Sequence, residues 1–415
     1  MPHFGPLASY VRYALPGLPL AGLMLPFYIY VPLWLSEHSG YGYLLVGAVF
    51  FIARISDVFT DLPVGALIDR RGCGKGWWLA SWILLTASAI ALFLAPHPWP
   101  PWLLLVVLVL LMLGWTGLNV PWLALPVSLA VTASQRLAYN SAREGALLLG
   151  TLIALLLPGL LDPDKLRVLL GPVLLVLLVA VLLQGSNPGN RGGKTDFSLW
   201  TLVKDRRVTS LALPWFLNML ANAIPGTILV LFMREVLQAE SAVPVALLVY
   251  FLSGLIGVPL WYALARRYGA LLCWRVGLFL SAVLFGFAAL LGPDDVYWFI
   301  AICVGTGLML GADQALPSAM QTRLAQELIR DAGNNLGARL FALWSMLSKA
   351  AMGLAVGLGY LWLGVQAEPD TVPPAWAISG AYVIAPVVLK IMVAAMLGHR
   401  RLVWMEEEAA DEMAR

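Results

Sequence analysis

The amino-acid sequence predicts an all-α, polytopic membrane protein of twelve spans, arranged as two six-helix halves. Three observations carry this: an apolar composition, apolar runs of membrane-crossing length, and landmarks duplicated between the halves. Of the 415 residues, 60% are hydrophobic and 12% charged, whereas soluble domains carry about 25% charged residues. Mean hydropathy is +0.83. Apolar runs of roughly 18–25 residues recur along the chain, each long enough to cross a hydrocarbon core of roughly 30 Å. That balance excludes a soluble globule.

The first span, 11–35, is too long for the core of a secretory leader and has no small-residue cleavage site, so it is expected to stay in the mature chain. The second, 42–69, is the charged one. Spans three to six follow at 77–96, 101–131, 139–161 and 166–184. The stretch "QGSNPGNRGGKTDFS" after Leu183 is polar and rich in Gly, Ser and Asn, which reads as a flexible linker. Spans seven to twelve lie at 209–235, 242–265, 270–291, 296–325, 338–364 and 374–398. The expected organisation is therefore an N-terminal bundle at 1–185, a cytoplasmic linker at 186–208, a C-terminal bundle at 209–399 and a tail at 400–415.

Net charge is +3, and its distribution is more informative. Lys and Arg collect in alternate connections: Arg70, Arg71 and Lys75; Arg136; Arg191, Lys194, Lys204, Arg206 and Arg207; Arg266 and Arg267; Arg323 and Arg330; Arg400 and Arg401. The opposite connections hold Lys165 and Arg167, with Arg234 near a span end, and are otherwise neutral or acidic. Positive loops stay on the cytoplasmic side, so both termini are expected there, in a bacterial inner membrane. Cys73, Cys273 and Cys303 show no paired spacing, arguing against a disulfide framework or a zinc site. His3, His38, His97 and His399 fall in loops or at span ends, which argues against histidine as a proton carrier through the membrane.

Laying the second half on the first at a gapless offset of 196 residues aligns six landmarks. Pro63 meets Pro259, Arg70 and Arg71 meet Arg266 and Arg267, Trp78 meets Trp274, Pro121 meets Pro317, and Arg143 meets Arg339. A duplicated six-span unit explains all six, and two parallel repeats around a midplane site is the architecture of major facilitator transporters. A channel with internal repeats is the alternative. At the positions matching Asp57 and Asp61 the second half has Ser253 and Gly257, so the fold itself does not demand acids there.

The second span reads "FIARISDVFTDLPVGALIDRRGCGKG" from Phe51. On a helix, at about 100° per residue, Arg54, Asp57 and Asp61 fall within about 60° of one another, three and four residues apart, so neighbours on the stripe can touch. A charged side chain at the bilayer centre costs about 2.5–3.5 kcal/mol or more. The stripe is therefore expected to face the bundle interior, a wet cavity or a bound cation. An Arg54–Asp57 charge pair accounts for one acid. Two carboxylates and a neutral hydroxyl suit a hard monovalent cation, which prefers oxygen ligands. A proton is the competing occupant, because a buried carboxyl holds one more readily. Downstream, Asp69, Arg70, Arg71 and Lys75 surround glycines but lack the strand and the Lys-Ser/Thr ending of a phosphate-binding loop. They are expected to form a gating loop.

The pattern "ARxxDxxxDxPxG…DRRxxGK" resembles the second helix of the glycoside–pentoside–hexuronide:cation symporters, the family of the melibiose carrier and the sodium-dependent lysolipid carriers. The resemblance continues in "GWTGLNVPWLALP", "RLAYNSAREG" and "RLFALWSMLSKAAMGLAVGLGY", so it covers most of the chain. It implies that Asp57 and Asp61 bind the coupling cation, with Thr116 completing the site in sodium-coupled members. It also implies that Arg143 and Lys349 line a central cavity. Sugar-binding members carry one aspartate in the first span and another in the fourth, where this chain has Ala21 and Asn119. A buried polyhydroxylated ligand needs strong acceptors, so the loss of both acids bears on which solute is carried. Tyr28, Tyr30, Trp115, Asn119, Trp122 and Trp344 are the other candidates for the cavity wall. Asp313 and Gln314, in the tenth span, have no counterpart in the resemblance, and an interdomain contact and a site are equal expectations there.

The function expected is cation-coupled symport of a small organic solute, by family default a sugar or glycoside, with sodium or a proton as coupling ion. The first alternative changes the cargo to an amphiphile such as a lysolipid. The second is a non-transporting sensor or scaffold. No ATP-binding loop, nucleophile–base pair or metal cluster suggests an enzyme, and no cofactor or nucleic acid is expected. The expected partners are the bilayer and the solute, with a monomer as the default.

Overall fold

A computed structural model describes residues 6–38, 41, 43–94, 99–156, 163–184, 199–332, 336–366 and 373–398. Sixteen α-helices and no strand occur among them: α1 (Pro6–Ala14), α2 (Gly17–His38), α3 (Tyr43–Arg71), α4 (Lys75–Leu94), α5 (Pro101–Ala124), α6 (Pro126–Leu129), α7 (Ala133–Leu156), α8 (Pro163–Gln184), α9 (Leu199–Lys204), α10 (Arg206–Glu235), α11 (Val243–Tyr268), α12 (Ala270–Gly286), α13 (Val296–Ala332), α14 (Gly337–Gln366), α15 (Ala375–Ser379) and α16 (Ala385–Leu397). Eight helical stretches among the described residues are long and apolar enough by themselves to cross a membrane. With α2, α3, α7 and α8, which are 22, 29, 24 and 22 residues long, they make the twelve rods that the sequence predicts.

Proline sets several helix ends. Pro126 has no N–H, so α5 stops at Ala124 and a fresh short helix starts with Pro126 in its first turn. Span four is thus a rod and a stub. In span twelve, Pro386 removes the N–H that the Tyr382 carbonyl would accept, and the preceding turn, Gly380–Ile384, widens into a π-helix between α15 and α16. The segment expected as linker is partly helical: α9 occupies Leu199–Lys204 and α10 starts at Arg206. Asp205 caps α10 by accepting from the Arg207 backbone N–H at 2.8 Å. The rest of the linker and the expected tail lie outside the described residues. α13, at 37 residues, is about 55 Å long, so it outruns the expected tenth span by a further two turns.

The chain divides into two compact units. One comprises Met1–Val131, Ala142–Asp196 and Ala325–Met346; the other comprises Thr132–Ser141, Phe197–Leu324 and Leu347–Arg415. In the first unit, α5 lies so close to α4 that a Cβ on Gly114 would overlap the Leu85 backbone. In the second, α11 and α13 approach closer still. A Cβ on Gly257 would overlap the Leu308 carbonyl, and one on Gly311 would overlap the Gly257 backbone. The same unit carries an aromatic core in which Tyr382, on the π-helix, stacks on Phe232 with ring centroids 4.2 Å apart. The basic turns that end α3 and α11 repeat one solution: Gly72 and Gly269 take φ of 78° and 86° and return their N–H groups to Ile68 and Ala265, a conformation that favours glycine.

The seam between α11 and α13 predicts a contrast between two glycines. Gly311→Leu is expected to lose about 1–3 kcal/mol through overpacking, seen as a lower melting temperature of the detergent-purified protein. Gly353→Leu, where the new Cβ meets nothing within 4 Å, should melt no lower than the parent. Equal losses at the two positions would refute the seam.

Candidate functional site

The charged stripe of α3 faces the interior of its own unit. Asp57 and Asp61 are 1% and 0% exposed, and Thr116 of α5 is 0% exposed. The Thr116 hydroxyl lies 2.9 Å from Asp61 Oδ1 and 3.3 Å from Asp57 Oδ1. A hydroxyl carries one proton, so it donates to one carboxylate at a time, and both carboxylates lie within its reach. Carboxylate oxygens gathered with a hydroxyl away from water make an oxygen-lined place that a cation or a proton can occupy. The convergence comes from local sequence: the four-residue spacing puts both acids on one face of α3, and Gly117, one residue on from Thr116, lets α5 lie against Ser81 of α4. Trp77 of α4 fixes that contact by donating its Nε1–H to the Gly117 carbonyl at 2.8 Å. Arg54, three residues before Asp57, is partly buried.

At the C-terminal end of α3 the expected gating loop divides. Asp69, Arg70 and Arg71 belong to the last helical turn, and Lys75 is the first residue of α4. Arg70, Arg71 and Lys75 are exposed, whereas Asp69 is fully buried. Its carboxylate accepts from the backbone N–H groups of Ala338 and Arg339, both at 3.0 Å, and so caps the N-terminus of α14, where the helix dipole favours an anion. The Arg339 guanidinium lies 3.7 Å away. Gly65, one helical turn earlier, admits this approach, since a Cβ there would press on the Ala338 carbonyl and the Ala342 side chain.

The residues expected at a substrate cavity are placed as follows. Arg143 is 1% exposed; its guanidinium makes a two-pronged contact with Glu144 Oε1 at 2.7 and 3.1 Å and donates to the Tyr13 hydroxyl at 3.2 Å. Trp122 is buried beside it, donating its Nε1–H to the Tyr13 carbonyl at 2.8 Å. Trp344 is buried in the same unit, and Asn119 is partly buried. Lys349 belongs to the second unit and is partly buried. The side chain of Tyr28 lies outside the described residues.

Sequence reasoning missed Glu144 and Lys390. Glu144 was legible: a mid-span arginine needs an anion, and the adjacent residue supplies one. Asp313, which had no role assigned, belongs to the second unit, and its hydrogen-bond partners Asn218, Asn222, Trp274 and Lys390 belong to it too. Its Oδ1 accepts from Asn218 at 2.8 Å and from the Trp274 indole at 3.0 Å. Its Oδ2 accepts from Asn222 and Lys390, each at 2.9 Å. Gln314, the next residue, is partly buried, and its backbone carbonyl accepts from the Ser318 hydroxyl at 2.9 Å. Among the described residues, no group of three or more His, Cys, Asp or Glu side chains is arranged to hold a metal ion.

The profile of the family described as MFS/sugar transport protein matches residues 12–400. No curated protein matches the sequence. The fold is similar to that of a bacterial homologue of the iron transporter ferroportin in its outward-facing state, with a TM-score of 0.70 at 17% identity over 94% of this chain and 97% of that one. It is also similar to the E. coli fucose:proton symporter FucP, with a TM-score of 0.71 at 13% identity over 95% of this chain and 100% of that one.

Breaking a buried ion pair from one side costs about 3–5 kcal/mol. Glu144→Gln is therefore expected to reduce the yield and melting temperature of the purified protein sharply. The double variant Arg143→Met with Glu144→Gln should recover most of both. A double variant as damaged as the single one would contradict the pairing.

Proposed function

The chain belongs to the MFS/sugar transport protein family, a family of transporters and not of enzymes, and from that premise we propose that it is a symporter coupling a small organic solute to a monovalent cation. The observation that carries the reading is the convergence of Asp57, Asp61 and Thr116. Three side-chain oxygens from two helices suit sodium, a hard ion that takes several oxygen ligands. A proton would need only one of the carboxylates. Arg54, on the same stripe, supplies charge to its side of the pair. Cation and solute each shift the protein toward the state that binds both, by as much as their affinities for the two states differ. Access then alternates around the midplane by rocking of repeats, and the membrane in question is read as the bacterial inner membrane, with both termini cytoplasmic.

The family description makes a sugar the default solute. Arg143, Trp122, Trp344, Asn119 and Lys349 are proposed to shape or line its site, with Arg143 held in place by Glu144. Asp69 and the exposed Arg70, Arg71 and Lys75 are proposed to act as a cytoplasmic gate, since parting α3 from the start of α14 would strip two backbone N–H groups of their acceptor. A lysolipid-like amphiphile is the second reading. It is favoured by Ala21 and Asn119 standing where sugar carriers have acids, and by Lys349, which suits an anionic head group.

Reconstituted protein, an imposed sodium gradient and a panel of radiolabelled glycosides and lysolipids test the coupling. Asp61→Asn is expected to reduce gradient-driven uptake more than about tenfold while leaving gradient-independent exchange measurable. Thr116→Ala should raise the half-saturating sodium concentration roughly five- to tenfold, about 1–1.4 kcal/mol for the loss of one coordinating oxygen. Undiminished gradient-driven uptake by Asp61→Asn would refute the assignment.

A further inference from the structure

The second unit also buries an acid inside its helices, and it surrounds that acid with donors from its own side chains. Asp313 stands near the middle of α13 and is 5% exposed. Four donors from three other helices converge on it: Asn218 and Asn222 of α10, Trp274 of α12 and Lys390 of α16. The Lys390 ammonium is itself buried at 7% exposure. It lies 2.9 Å from Asp313 Oδ2 and 3.4 Å from Asn218 Oδ1, so two side-chain oxygens face the cation.

The repeat sharpens the comparison. At the 196-residue offset Asp313 matches Gly117 and Trp274 matches Trp78. Trp274 gives its indole N–H to Asp313 at 3.0 Å, whereas the buried indole nitrogen of Trp78 has no hydrogen-bond partner among the described residues. In the other direction, Asp61 of the first half matches Gly257, and a side chain there would run into the Leu308 carbonyl. Each half thus buries acid at a place where the other cannot.

We infer that Lys390 is the built-in cation of the second half: a tethered ammonium occupying, beside Asp313 and Asn218, the place of a monovalent ion. The comparison with an exchangeable ion rests on the reading of Asp57 and Asp61 as the coupling site; the role of Lys390 stands on the geometry around Asp313. A tethered ammonium cannot leave with the substrate. The second half therefore holds its charge through the cycle, and its helices α10, α12, α13 and α16 stay pinned to one carboxylate. Removal of Lys390 converts the same oxygens into a site for a free monovalent cation.

Melting temperatures of detergent-purified variants, with sodium chloride titrated against choline chloride at pH 8 and pH varied in choline, test this directly. The parent is Asp57→Asn with Asp61→Asn, which silences the proposed coupling site. That parent should show no sodium response; a response surviving in it would refute the coupling-site reading while leaving the Lys390 comparison within the same background intact. Adding Lys390→Met should lower the melting temperature and create a response in which sodium or acidification raises it by roughly 3 °C or more. Sodium and pH arms distinguish a metal ion from a proton as the occupant. Adding Asp313→Asn as well should abolish the response and restore the parent's melting temperature. If Lys390→Met is too unstable to purify, recovery of folded protein on adding Asp313→Asn supports the inference, and failure to recover it overturns it. A Lys390→Met variant that melts like its parent and ignores both cations also overturns it.

Discussion

A carboxylate taken out of water needs a cation, a proton or several hydrogen-bond donors, and on the proposed reading the two halves of this molecule meet that need differently. The energetic scale is set by the cost of an isolated charge at the bilayer centre, about 2.5–3.5 kcal/mol even on the mildest scale. The first unit buries Asp57 and Asp61, and the Thr116 hydroxyl reaches both. Asp69, also in that unit, is satisfied by the start of α14 and by Arg339. The second unit buries Asp313 and gives it a complete set of donors, including a lysine. On the proposed reading, the first arrangement asks for an ion that comes and goes, and the second is closed.

Small residues make this division possible. Where the first half carries the stripe of α3, the second has Ser253 and Gly257, and α13 packs so closely on Gly257 that no acid fits. Where the second half carries Asp313, the first has Gly117, whose missing side chain leaves room for Ser81 and whose carbonyl takes the Trp77 indole. The duplicated framework is kept by prolines, by the arginines at 143 and 339, and by the basic turns after α3 and α11. Arg143 and Arg339 show the same economy: both are buried, and each has a carboxylate of its own, Glu144 for one and Asp69 for the other.

The fold was largely legible because hydropathy and charge asymmetry act over whole spans, and a bilayer admits few architectures. Asp57 and Asp61 were legible because helical spacing puts them on one face; Thr116 came from resemblance alone, since nothing local links it to α3. Asp69 was misread as a loop residue because its partner, the N-terminus of α14, is about 270 residues away and capping across such a distance leaves no local pattern. The link between Asp313 and Lys390 was hidden for a similar reason: the donors come from three separate helices. Yet Lys390 itself is a lone cation in an apolar span, a signal that an anion lies elsewhere in the second half. The π-turn before Pro386 was beyond sequence reasoning, because a proline is equally able to end, kink or widen a helix.

The central claim is that one half binds an exchangeable cation and the other carries its own. The stoichiometry of cation binding measures this most directly. Equilibrium binding of radioactive sodium to the purified wild-type protein, by dialysis at pH 8, is predicted to saturate at one ion per chain. Saturation at two ions, or no binding up to concentrations that support uptake, would contradict the account.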